Sequence, residues 1–260
     1  MRVHHDPNPG VWLQVYASGA WEAARATTPA ARDLLELLLP LQLRADLVIG
    51  QAGQSLDGRI ATPRGDSHYI TGPADIRRLH RLRALVDAVV VGAGTVAADD
   101  PRLTVREVEG PHPVRVILDP NGRLGPDRRV FRDGAAPTLV VRGEENGGAA
   151  AGGTDCEVLR LPCGGAAHHG GFAPADVVRA LRERGYRRLL IEGGGTTVSR
   201  FLQAGALDRL HVTVAPMVIG SGPPAIALDP IAALDDALRP RSRVFPLGDD
   251  ILFDLDLREN

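Results

Sequence analysis

The chain has 260 residues, of which 44% are apolar, 24% charged and 4% aromatic, the make-up of an ordinary globular protein with room for one large α/β domain or two small ones. Its 30 basic residues, all arginine, face 32 acidic ones, and the net charge of −2 points to neither a nucleic acid nor a membrane as partner, while leaving room for local phosphate sites. No run approaches the roughly 18 apolar residues of a membrane span, and the N-terminus MRVHHDPNPG has no signal-peptide pattern, so a cytoplasmic enzyme is expected.

Residues 1–43 differ from the rest of the chain and are read as an N-terminal extension, either packed on a main domain or the remnant of another one. Trp12 to Tyr16 suits a short strand, and the region Trp21 to Leu39 contains a helical segment that Pro40 is expected to stop. The main domain, residues 44–260, alternates strands and helices. ADLVIGQ, DAVVVG, VRVILD, TLVV and RLLIEG are apolar on successive residues, as strands buried on both faces of a parallel sheet are. PADIRRLHRLRALV (73–86) and APADVVRALRERG (173–185) carry apolar positions at helical spacing, with Pro73 and Pro174 in the first turn, and a third helix is predicted from Thr197 to Leu202. LTVR (103–106) reads as strand-like. HVTVAPMVI, RVFPL and ILFDLDL lack intervening helices and predict antiparallel strands. The fold class is therefore α/β: three layers around a mostly parallel central sheet with an antiparallel C-terminal edge.

Ligands of such sheets sit at the C-terminal strand edges, where helix N-termini offer free N–H groups. Three segments end there with chemically capable residues: GQSLDGRIATPRGDSHYITG (53–72), VGAGTVAADDPRLTVR (91–106) and IEGGGTTVSRFL (191–202). In the last, glycines let a phosphate approach the backbone, two threonines open a helix, and Glu192 at the end of an apolar strand can hold a hydroxyl or an amine. Arg83 and Arg106 are candidate phosphate forks, although an arginine taken alone in so arginine-rich a chain is more often a surface residue. Asp99-Asp100-Pro101 reads as a turn, the adjacent histidines His4-His5 and His168-His169 lie in Gly/Pro-rich segments, and Cys156 and Cys163 lack ligand spacing, so no metal is expected.

SLDGRIA, GDSHYITG, HRLRALVDAVVVGAGTVAADDPRLTVR and IEGGGTTVSRFLQAGALDRLHVTVAP, in this order, closely resemble the reductase domain of the bifunctional riboflavin-biosynthesis deaminase/reductase. The resemblance implies a dihydrofolate-reductase-like fold, NADPH as cofactor and a homodimer. It places Gly53, Tyr69, Thr95, Asp99, Pro120 and the turn Gly194, Gly195, Thr196, Thr197 to Arg200 on the cofactor. Ser67, Arg83, Leu103, Arg106 and Glu192 fall to the substrate, with Glu192 also the candidate catalytic residue. The implied reaction turns the ribosyl group of a 5-phosphoribosylamino-pyrimidine, deaminated or not, into a ribitylamino group. The chain departs from the family in having Gln51 where Lys or Asn is common, Tyr69 for a frequent Trp, and no HxE or PCxxC of a zinc deaminase. Two other readings stand beside this one: a reductase of another pyrimidine or pterin, and a non-catalytic nucleotide-binding protein. Arg142, at the end of TLVVR, is expected to meet the 2′-phosphate of NADPH if that strand end faces the adenosine.

Overall fold

The computed structural model describes residues 2–3, 12–67, 70–144, 156–164 and 171–258. The chain divides into two compact units, Met1–Asp46 and Leu47–Asn260. In the first, strands β1 (Arg2–Val3), β2 (Leu13–Val15) and β3 (Trp21–Ala23) form a small antiparallel sheet, and helix α1 comes next (Pro29–Gln42). Thr28 caps the helix, its Oγ1 accepting the Ala31 N–H at 3.2 Å. Pro40 does not stop α1 as the sequence suggests. It removes one hydrogen bond two residues before the end, and the ladder resumes with Leu43 N–H donating to Leu39 O at 3.1 Å.

The second unit has the order β4 (Leu47–Ser55), α2 (Pro73–Leu85), β5 (Ala88–Gly92), α3 (Ala93–Asp99), β6 (Val114–Leu118), α4 (Arg129–Arg132), β7 (Thr138–Gly143) and β8 (Glu157–Leu161). It continues with α5 (Pro174–Glu183), β9 (Arg188–Ile191), α6 (Gly195–Gln203), β10 (Arg209–Ala215), β11 (Arg241–Leu247) and β12 (Asp250–Asp256). One nine-stranded sheet results, in the order β11-β12-β10-β4-β9-β5-β6-β7-β8. From β10 to β8 every pairing is parallel, and β12 runs antiparallel to both β10 and β11. This is the expected α/β class, with helices covering an interior of doubly buried strands such as Val89, Val90 and Val91.

Two local expectations fail. Residues 103–106 form no strand, because Leu103 takes a left-handed conformation (φ 55°) directly after Asp100 (φ 40°) has ended α3. The HVTVAPMVI segment is not purely antiparallel: β10 pairs parallel with β4 over Arg209–Ala215 and antiparallel only with β12. The late strand β9 inserts between β4 and β5, so the crossovers diverge there and open a crevice at the strand ends.

Candidate active site

Two buried strands, β5 and β9, end side by side and each turns at once into a helix. Their turns are braced against each other: Gly194 N–H donates to Thr95 Oγ1 at 2.8 Å. A side chain at Gly193 (φ 104°) would bring Cβ to 2.7 Å from that hydroxyl, and one at Gly195 would lie 2.2 Å from the Pro224 carbonyl. These two glycines are thus required by close packing before any ligand is considered. α6 begins at Gly195 rather than at Thr197 and has no side-chain cap; Thr197 N–H donates to Gly194 O at 3.1 Å, while the N–H groups of Gly195 and Thr196 are left to solvent or an anion.

The crevice consists of two cavities. One, of about 500 Å³, has Gly53, Ser67 and Asp99 in its lining. The other, of about 410 Å³, is bordered by Pro120, Thr196, Thr197 and Arg200. Thr95, Gly94 and Gly194 border both, so the braced turns form a neck between them. A ligand with two ring systems joined by an anionic linker fits this form, the linker lying at the start of α6. Ser67 Oγ is 3.5 Å from Asp99 Oδ1, the outer limit of a hydrogen bond.

Arg83 and Glu192, 109 residues apart, meet in a buried bidentate pair: Nε to Oε1 at 2.8 Å and Nη2 to Oε2 at 2.7 Å. Arg83 Nη1 donates to the Thr104 carbonyl at 3.3 Å. Burial alone would lower the Arg83 pKa, but the Glu192 carboxylate outweighs it and the net shift is upward. The guanidinium fork is therefore spent largely on Glu192. Arg106 differs: it is exposed, its Nη1 donates to Thr104 Oγ1 at 2.9 Å, and among the described residues it makes no ion pair. Its pKa is lowered by partial burial and by the neighbouring Arg83 and Arg102 charges, a sign of locally positive potential. His80 fixes this segment, its Nδ1 accepting the Arg106 N–H at 2.8 Å. Burial, then Arg83 and Arg106, push the His80 pKa down to about 4, so the ring is a neutral acceptor. Leu103 is buried in the same loop, 2% exposed, in its left-handed conformation.

Among the expected site residues, the structure brings Gly53, Ser67, Thr95, Asp99, Pro120, Gly194, Thr196 and Thr197 to the two cavities. Arg83, Leu103, Arg106, Glu192 and Gly195 line neither, and Tyr69 lies outside the described residues, as do His4-His5 and His168-His169. Arg142 also lines neither; it is 4% exposed beneath the 120–123 turn, where a Gly122 side chain would strike its Nη1 at 2.1 Å. Arg123 stands at the smaller cavity instead. Sequence reasoning passed over Arg123 and Asp75. Asp75 lines the larger cavity, but in sequence it reads as an ordinary first-turn acid of a helix.

The family model described as the RibD C-terminal domain matches residues 46–245. The 2,5-diamino-6-ribosylamino-4(3H)-pyrimidinone 5′-phosphate reductase of Methanothermobacter thermautotrophicus is 36% identical over 214 residues, covering 79% of this chain and 95% of that protein. The riboflavin biosynthesis protein RibD of Aquifex aeolicus is 35% identical, covering 76% of this chain and 54% of its own length. The crystal structure of a diaminohydroxyphosphoribosylaminopyrimidine deaminase/5-amino-6-(5-phosphoribosylamino)uracil reductase from Thermotoga maritima superposes with a TM-score of 0.68 at 29% identity, over 81% of this chain and 56% of that one. The chain thus spans nearly all of the archaeal relative and a little over half of the two bacterial ones.

Proposed function

Since the chain belongs to the RibD C-terminal domain family, we propose that it is an NADPH-dependent reductase that converts the ribosyl group of a 5-phosphoribosylamino-pyrimidine, diamino or deaminated, into a ribitylamino group. The observation that carries this reading is the pair of cavities meeting at Thr95 and Gly194. NADPH, when bound, supplies the hydride that C1′ of the opened sugar receives. The smaller cavity suits its adenosine side, with the uncapped N–H groups of α6 toward the pyrophosphate and Arg123 toward the 2′-phosphate. The neck then directs the nicotinamide into the larger cavity beside Gly53 and Ser67.

This chain's own part is placement. Arg106, exposed outside both cavities and without an ion pair among the described residues, is the group assigned to the substrate's 5′-phosphate, which would extend from the larger cavity to reach it. Glu192, buried directly before the cavity-lining Gly193 and Gly194 and clamped by Arg83, has its carboxylate direction fixed before substrate arrives and is assigned a sugar hydroxyl that reaches past that turn. Ser67 adds a hydroxyl at the cavity rim. The larger unit carries the whole of this site, which supports reading it as the reductase domain. A homodimer belongs to the same reading: Val244 and Phe253 pair across β11 and β12 and, with Ile251, are 56%, 37% and 46% exposed on one outward face, an apolar surface suited to a second copy. Light scattering at micromolar concentration should give twice the chain mass.

The test of the reading is NADPH oxidation followed with the diamino and with the deaminated substrate. Turnover of one is expected, with NADPH favoured over NADH. Activity with neither would remove the pyrimidine assignment.

A further inference from the structure

The floor of the larger cavity holds a carboxylate to which the proposed reaction gives no role. Asp75, in the first turn of α2, is only 2% exposed and yet lines the cavity. Its Oδ1 is taken: Arg78 Nε donates at 2.7 Å, Thr213 Oγ1 donates at 2.8 Å, and Arg78 Nη2 lies 2.7 Å away. Its Oδ2 accepts no hydrogen bond among the described residues. That oxygen faces Gly53, where an added Cβ would come within 3.9 Å of it. Asp75 is thus open only toward the cavity, and a ligand that displaces water from Oδ2 must bring a donor or leave the carboxylate oxygen unpaired, which is costly.

The side chain cannot turn away to find a partner elsewhere. Arg78 is held from behind by His211, whose Nδ1 lies 3.0 Å from Arg78 Nη1, and His211 Nε2 is 3.3 Å from Asp254 Oδ1. Burial keeps His211 neutral by lowering its pKa to about 4, so Nδ1 is the acceptor and Arg78 the donor. Arg78 in turn balances the Asp75 charge, so a cationic ligand would gain little there. The cavity wall combines apolar Ile60, Ile76 and Leu79, which suit the faces of a flat ring, with polar Gln51 and Thr71, so that Asp75 Oδ2 meets such a ring at its edge.

We propose that Asp75 Oδ2 is a ligand-binding acceptor of this site and takes one N–H from a neutral amide or amine at the edge of a bound ring. The assignment rests on the reductase reading, which brings two such donors to the cavity: the carboxamide of the nicotinamide and the 2-amine of the diamino pyrimidine, the one amine that deamination removes. Both present the same chemistry, and the experiment separates them.

The experiment compares wild type with Asp75→Asn in two arms: NADPH affinity by fluorescence, set against the 3-acetylpyridine analogue that carries a methyl in place of the amide nitrogen, and KM for the diamino against the deaminated pyrimidine. The variant should lose roughly 10- to 100-fold in one arm and less than about threefold in the other. In the affected arm it should no longer distinguish the ligand that carries the donor from the one that lacks it. Loss in the first arm assigns the carboxamide, and loss in the second the pyrimidine amine. Should the single variant fail to fold, Asp75→Asn combined with Arg78→Gln removes acceptor and counter-charge together and is read in the same way. No change in either arm, or equal weakening of both, overturns the assignment. A wild type that binds no NADPH overturns the reductase reading and this assignment together, whereas one that binds and turns over with neither arm responding overturns this assignment alone.

Discussion

Two buried sets of arginines and carboxylates, one behind the cleft and one in the antiparallel edge, use charge in opposite ways. In the edge, Asp254 on β12 is 0% exposed and takes Arg209 through both nitrogens, Arg243 and the neighbouring His211, while Asp256 takes the remaining Arg209 nitrogen. Burial would raise the Asp254 pKa, but His211 and Arg209 more than reverse it and hold the carboxyl well below the usual carboxylate range. The arginine charge is consumed there, and the product is cohesion of β10, β11 and β12. Behind the cleft, Glu192 takes Arg83 alone, and Arg106 beside it keeps its charge. What an arginine does is thus decided by its partner, in a chain where every basic side chain is an arginine.

The contrast is most easily broken at Asp254. Asp254→Asn leaves Arg209 with Asp256 alone and Arg243 without this partner, and should cost about 3 kcal/mol of unfolding free energy by denaturant titration. A loss under about 1 kcal/mol would mean that the edge array does not hold the strands together. Glu192→Gln is expected to act mainly on chemistry, lowering kcat by roughly 100-fold with NADPH affinity changed less than threefold. If affinity for the cofactor falls as far as turnover, the Arg83–Glu192 pair is scaffolding like its counterpart in the edge. Next in size, Arg106→Ala should raise the substrate KM by roughly 10-fold with little change in kcat, an effect that shrinks as salt is added. A KM indifferent to both would show that Arg106 carries no phosphate.

The sequence revealed the edge and the cleft unequally. Strands β4, β5, β6, β7 and β9 are legible because burial on both faces writes them as unbroken apolar runs. Strand β8, EVLRL, alternates exposed and buried positions on the outside of the sheet, and a five-residue alternation carries little signal. That β10 pairs parallel with β4 depends on a partner 160 residues away, which no local pattern encodes. In the site, Thr95 and Gly194 stand out as polar and small residues directly after buried strands. The bond between Arg83 and Glu192 did not, and it changes what Arg83 can do, because a fork already filled by a carboxylate has little left for a phosphate. Arg142 was misplaced for a related reason: the end of a strand fixes a residue's position but not whether a turn folds over it.

The expected effect that is smallest at neutral pH bears on the loop that presents Arg106. His80 is 2% exposed and neutral, with its Nδ1 holding the backbone N–H of Arg106 at 2.8 Å. Its pKa is lowered from the ordinary 6.5 to about 4 in the folded protein. A group whose pKa is depressed on folding stabilises the fold above its unfolded value and loses that contribution as pH falls toward the folded one. Between about pH 6.5 and 4 the unfolded chain therefore takes up a proton at His80 that the folded chain refuses. Stability should fall by roughly 1 kcal/mol per pH unit from this residue across that window. His211 adds a second contribution of the same sign from inside the edge array, since its own pKa is also lowered to about 4. His80→Asn retains an acceptor for the Arg106 N–H but cannot be protonated in this range, so it isolates the cleft's share. In urea titrations at pH 7, 6 and 5 the variant should be slightly less stable than wild type at pH 7, draw level as pH drops, and be the more stable of the two at pH 5. A variant whose stability follows the wild-type slope unchanged would mean that His80 is protonated in the folded loop, and that the neutral acceptor holding Arg106 in place does not exist.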